Sequence, residues 1–142
     1  MREQAMPAIK GSCLCGGVAF EMTGAPLRVQ HCHCSRCRKV RGTAHATNLF
    51  VPIGEIRYVR GEDQLALYKL PDAKTFAHAF CKVCGSSMPR LDPSRGLAIV
   101  PMGSFDDDPG VRPERRVFVD SRAPWDETAD GLPTFGGPPP AL

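Results

Sequence analysis

No run of the 142-residue sequence approaches the roughly 20 consecutive apolar residues of a membrane-spanning helix, so no membrane partner is expected. The opening MREQAMPAIKG also lacks the apolar stretch of a secretion signal, which points to a cytoplasmic, reducing setting. Charge of one sign is lacking too. Eighteen Lys+Arg stand against 15 Asp+Glu, a formal net charge of +3, too small for a polyanion-binding arm. Aromatic residues are scarce at 7%, with one Trp and two Tyr, so the basic stretch of residues 36–41 has no aromatic interleaving for stacking on bases. No repeat and no internal linker divides the chain. One domain over 1–142 is therefore expected, with its core over about 11–135, a loose lead-in over the first half dozen residues and a flexible Gly/Pro tail at 136–142.

What is present is a globular share of hydrophobic residues, 42%, together with 14 glycines and 14 prolines. That much Gly and Pro argues against a helical bundle and for short strands joined by turns. Odd-even alternation marks residues 17–22 as a half-buried strand, with Val18, Phe20 and Met22 on one face and Ala19 and Glu21 on the other. Residues 55–60 repeat the pattern, with Ile56 and Tyr58 opposing Arg57 and Val59, and residues 64–70, 97–100 and 116–119 are further strand candidates. The one helix candidate is short, residues 35–40, with Ser35 as its cap.

Seven cysteines are the unusual feature, and an odd number cannot pair completely within one chain. They fall into Cys13-x-Cys15, Cys32-x-Cys34-x-x-Cys37 and Cys81-x-x-Cys84-Gly85. In Cys-x-Cys on extended chain the period of two sends both sulfurs to one face, and Cys-x-x-Cys around a tight turn lets two thiolates grip one ion. Gly85 suits such a turn because the chain often takes a positive φ there. Seven thiolates divide as four plus three. Cys13, Cys15, Cys81 and Cys84 make a closed, structural zinc site, and Cys32, Cys34 and Cys37 make a site with one open position. The alternative is that His31, His33 or His45 supplies a fourth ligand and the second site is also structural, although strand geometry turns His33 away from Cys32 and Cys34. Seven thiolates on two zinc ions would bring the net charge of +3 to zero.

A three-thiolate zinc is a weak Lewis acid and suits a soft fourth ligand, an incoming thiol bound as thiolate. Arg36, Arg38, Lys39 and Arg41 can offset the resulting negative charge or clamp a carboxylate of a thiol peptide, and Arg36, between two of the cysteines, is the first choice; a solvated basic face is the other reading. Elsewhere, His78 reads as a packed or surface residue. Asp106, Asp107 and Asp108 read as a turn after a strand, Met102, Phe50 and Phe105 as core packing, and Trp125 as the anchor of a returning chain.

The segments GSCLCGGVAFEMTG, HCHCSRCRKVRG, FCKVCGSSMPR, VPMGSFDD and RVFVDSRAPWDETADGLPTF resemble the glutathione-dependent formaldehyde-activating enzyme family, also called the centromere protein V/Gfa domain family, in order from about residue 11 to 135. The resemblance implies a mainly β, tent-like arrangement of twisted antiparallel sheets with zinc knuckles, holding one structural and one functional zinc on the sets of cysteines just given. It also implies carbon–sulfur lyase chemistry, in which formaldehyde and glutathione give S-hydroxymethylglutathione. At Arg115-Arg116 the chain departs from the family's pattern, where many relatives have a histidine. Two competing expectations are a non-catalytic zinc module that binds nucleic acid or protein, and redox sensing by the thiols of residues 32–37.

Overall fold

The structure is a computed structural model that describes residues 7–127 and 130–141; the lead-in expected over the first six residues lies outside them. It is mainly β, as expected. Three sheets carry it. A three-stranded sheet has the order β1-β2-β5, formed by β1 (Ile9–Ser12), β2 (Ala19–Met22) and β5 (Ile56–Arg60). A five-stranded sheet runs β10-β3-β4-β9-β8, from β3 (Arg28–Cys32), β4 (Ala46–Pro52), β8 (Arg90–Asp92), β9 (Leu97–Pro101) and β10 (Arg115–Val117). A hairpin pairs β6 (Leu65–Lys69) with β7 (Ala77–Cys81). The pairings are antiparallel except that of β10 with β3, which is parallel.

The alternation read in residues 17–22 is what builds the core: Val18, Phe20 and Met22 are fully or nearly fully buried, while Glu21 reaches Arg57 on β5 at 3.0 Å. Ala19 is buried as well, so this strand is covered on both faces. Phe20 and Met22 join Val29, Leu49, Val51, Ile56, Ala98 and Val100 in the main cluster between the two larger sheets, with Met102 and Phe105 packed against it. Burial of these aliphatic and aromatic side chains, about 1.5–3 kcal/mol each, is what holds the two sheets face to face.

Two sequence expectations are corrected here. The helix α1 (Ser35–Arg41) is capped by Cys34 and not by Ser35, because the Cys34 sulfur accepts the Cys37 N–H at 3.3 Å. Its other end closes on Gly42, whose φ of 62° lets its N–H return to the Arg38 carbonyl at 2.7 Å. Trp125 does not anchor the returning chain, since it is 68% exposed. That role falls to its neighbours, Ala123, which is buried, and Asp126, which lies 3.2 Å from buried His33. Residues 130–141 carry no strand or helix and are exposed throughout.

Candidate metal centres

The first centre is assembled from two knuckles that the fold brings together. Cys13 opens the turn after β1, where Cys13 N–H donates to the Val18 carbonyl, Gly16 N–H returns to the Cys13 carbonyl and Val18 N–H points at the Cys13 sulfur, at 3.0, 3.0 and 3.2 Å. The second knuckle follows β7, with Gly85 N–H on the Cys81 carbonyl at 2.8 Å and Cys81 N–H on the Ser86 carbonyl at 3.0 Å. Gly85 has φ 76°, the positive value its position predicts. The sulfurs of Cys13, Cys15, Cys81 and Cys84 all lie within 4.8 Å of one another, with Cys13 to Cys15 at 3.5 Å and Cys15 to Cys81 at 3.9 Å. Zinc–sulfur bonds of about 2.3 Å place tetrahedral sulfurs roughly 3.8 Å apart, so the donor set fits that ion. Proton sharing among the four thiols is uneven. Cys84 is pulled down to about 5, first by Ser86 and then by the backbone at Cys15, while in Cys15 the pull of the Gly17 N–H is outweighed by the neighbouring sulfurs and the thiol rises to about 11.

The second centre sits at one corner of the five-stranded sheet. Cys32 closes β3, Cys34 caps α1 and Cys37 lies one turn into it, and the three sulfurs also converge within 4.8 Å. No fourth described His, Cys, Asp or Glu ligand atom comes within that distance of all three. Hydrogen bonding from Cys37 draws the Cys32 thiol down to about 6 against the opposing effect of burial, and Cys37 is pushed up as the reciprocal of that contact. Ala46, opposite Cys32 in the β3–β4 pairing, packs directly on Cys32 and Cys37. The same alanine forms part of the wall of an open cleft of about 660 Å³, which runs past Arg41, Thr47 and His45 to Asp106 and to Cys13 of the first centre.

The histidines form a layer beside the second centre and not part of it. His31 in β3 and His33 just beyond its end both face His45, with ring centroids at 4.2 and 5.1 Å. His31 Nδ1 meets Thr47 Oγ1 at 2.8 Å. His33, 1% exposed, has Nε2 3.4 Å from an Arg116 Nη1 that can only donate, which leaves Nδ1–H facing Asp126, 3.2 Å away and off the line of a hydrogen bond. Burial first, then His45, hold His33 below the ordinary imidazole value, and Asp126 opposes them. His78 stacks on Phe80 at 5.2 Å, away from this layer. Asp106 and Asp107 form the expected turn, their N–H groups on the Lys10 carbonyl at 2.8 and 3.3 Å.

The basic residues of α1 separate by face. Arg36 is exposed and lies over the Phe76 ring at 5.9 Å from its centroid. Arg41 turns inward, donating from Nη2 to Asn48 Oδ1 at 3.0 Å. With Arg90 it lines a small chamber of about 40 Å³ behind Cys37. Sequence reasoning missed Asn48 and Arg90 as neighbours of the centre. The signal available for Arg41 was its spacing: four residues after Cys37, one helical turn on and on the same face.

The family model described as glutathione-dependent formaldehyde-activating enzyme matches residues 8–121. No curated protein matches the chain. A crystal structure of a Rhodobacter sphaeroides protein is similar at 27% identity and a TM-score of 0.58, covering 76% of this chain and 98% of that one. With its three cysteine segments inside the matched residues, the chain belongs to the glutathione-dependent formaldehyde-activating enzyme family.

Proposed function

We propose that the chain is a zinc-dependent carbon–sulfur lyase-like enzyme acting on the adduct of a small thiol, condensing formaldehyde with glutathione to S-hydroxymethylglutathione. The observation that carries this reading is the second centre, where three sulfurs converge with no fourth described ligand and Ala46, packed on them, separates them from a cleft of about 660 Å³. Cys13, Cys15, Cys81 and Cys84 would hold a structural zinc, and Cys32, Cys34 and Cys37 a functional one. Bound there, zinc supplies a soft Lewis acid that favours the thiolate form of a substrate sulfur.

In the condensation a sulfur lone pair forms the C–S bond to the aldehyde carbon, the carbonyl π pair moves to oxygen, and the proton lost by the thiol ends on that oxygen. No oxidant or reductant is consumed. The chain's part is to bind and orient. Arg41 and Asp106 line the cleft with opposite charges, which suits a zwitterionic peptide, and Arg36, exposed between two of the cysteines, is the proposed contact for one of its carboxylates. Seven free cysteines suit a reducing compartment, and the cytosol is the proposed setting.

The test combines metal analysis with exchange kinetics. Purified protein should carry two zinc ions, one more easily extracted, and should accelerate exchange between formaldehyde, glutathione and their adduct, as seen by magnetisation-transfer NMR. Cys37→Ala should remove the labile ion and the acceleration together. One tightly held zinc, or an exchange rate that Cys37→Ala leaves unchanged, sinks the reading.

A further inference from the structure

The inward guanidinium of Arg41 has no carboxylate within ion-pair distance among the described residues, and its buried Nε has no hydrogen-bond partner. Among the described residues its one hydrogen-bond partner is the neutral Asn48. Arg90, across the chamber, adds a second cation, and the nearby carboxylate, Asp92, is shared between Arg90 at 3.6 Å and Arg95 at 2.6 Å. Arg41 is half-buried, lining both this chamber and the open cleft, and a guanidinium partly withdrawn from water is stabilised by a negative group nearby. The chamber wall supplies it, because Cys37 lines the same space. Three thiolates on one divalent ion leave a net charge of −1, and a fourth thiolate takes it to −2.

We propose that Arg41 is a positioning residue that acts through the three-cysteine centre: its fixed charge makes the open coordination position selective for an anionic thiolate over a neutral ligand. Arg41 stands one helical turn after Cys37 and lines the chamber that Cys37 lines; Arg38, one turn after Cys34, also has a buried, unpartnered Nε but does not line that chamber. It rests on the reading of the second centre as a thiol site and adds the residue that sets its preference.

The test uses the full chain loaded with Co²⁺, whose absorption reports the ligands at a thiolate centre, and titrates two probes: 2-mercaptoethanol, which brings charge only at sulfur, and neutral imidazole. Arg41→Gln keeps an amide donor for Asn48 and removes the charge, Arg41→Lys keeps the charge, and Arg57→Gln removes a charge from the exposed face of β5. The expected result for Arg41→Gln is about tenfold weaker 2-mercaptoethanol binding, equivalent to about 1.4 kcal/mol, with imidazole within twofold of the parent. Arg41→Lys and Arg57→Gln should stay within threefold for both probes. Equal losses for the two probes, or no loss for either, overturn the proposal. If Arg41→Gln cannot hold metal at this centre, an Arg41→Lys protein that does supports the charge, and one that does not overturns it. A parent protein that takes no thiolate at all removes the thiol-site reading itself. A parent that takes it as well as Arg41→Gln does removes only the role of Arg41.

Discussion

The two centres close loops of very different length, and this sets a measurable difference in what each contributes to stability. From Cys15 to Cys81 the chain runs 66 residues, whereas Cys32 to Cys37 spans only five. A cross-link removes closure entropy from the unfolded chain roughly with the logarithm of the loop, giving about 4 kcal/mol for the long loop and about 2 kcal/mol for the short one at 25 °C. The perturbation is paired removal of buried ligands: Cys13→Ala with Cys81→Ala against Cys32→Ala with Cys37→Ala. All four side chains are buried, so the packing losses are matched to first order. Equilibrium urea unfolding of zinc-loaded protein, followed by circular dichroism, reads the outcome. With a slope of about 2 kcal/mol per molar urea, the first pair should lower the midpoint by about 1 M more than the second. A strong chelator should bring the parent protein toward the first pair. Equal midpoints for the two pairs, or a parent protein insensitive to the chelator, would refute the view that the first centre is the long-range staple of the fold.

Three further outcomes are expected. Gly85→Ala places a side chain at φ 76° with open space around it, so the cost is purely conformational, about 1–2 kcal/mol, and zinc should leave the first centre several-fold faster in a chelator assay. Asp92 is held down to about 2 by Ser94 and Arg95, below its ordinary 3.8. Its contribution is therefore complete above about pH 4 and is lost as pH falls toward 2, and Asp92→Asn should lower Tm at neutral pH and flatten that acid limb. Asp126→Ala removes the carboxylate that faces His33, and trypsin should then cut faster at exposed Arg122; an unchanged cleavage rate would show that Asp126 does not hold this segment.

Much of the fold was legible where one face of a strand meets water. The alternation in β5 and the apolar run of β9 appear in the structure within a residue of where they were read. The strands β3 and β4 were not read. β4 lies inside the five-stranded sheet with Ala46, Asn48, Leu49 and Val51 all buried, so its two faces carry no contrast of period two. The helix boundary was read almost correctly but its cap was not, because the Cys34 sulfur took the capping N–H of Cys37.

By itself the sequence determined which cysteines group together, the four and the three whose sulfurs converge in the structure. Two-residue and three-residue spacings are local, and local chain geometry decides whether two sulfurs can share an ion. It also determined that the count is odd, which leaves three sulfurs without a fourth cysteine. Only the tertiary structure decided what surrounds those three. His33 meets Asp126 and Arg116 from distant parts of the chain, and Arg41 turns inward to Arg90 of β8 while Arg36 stays in solvent over Phe76. Such neighbours depend on which strands pair and how α1 packs on the sheet, and side chains dozens of residues apart leave no mark of that meeting in the spacing of either.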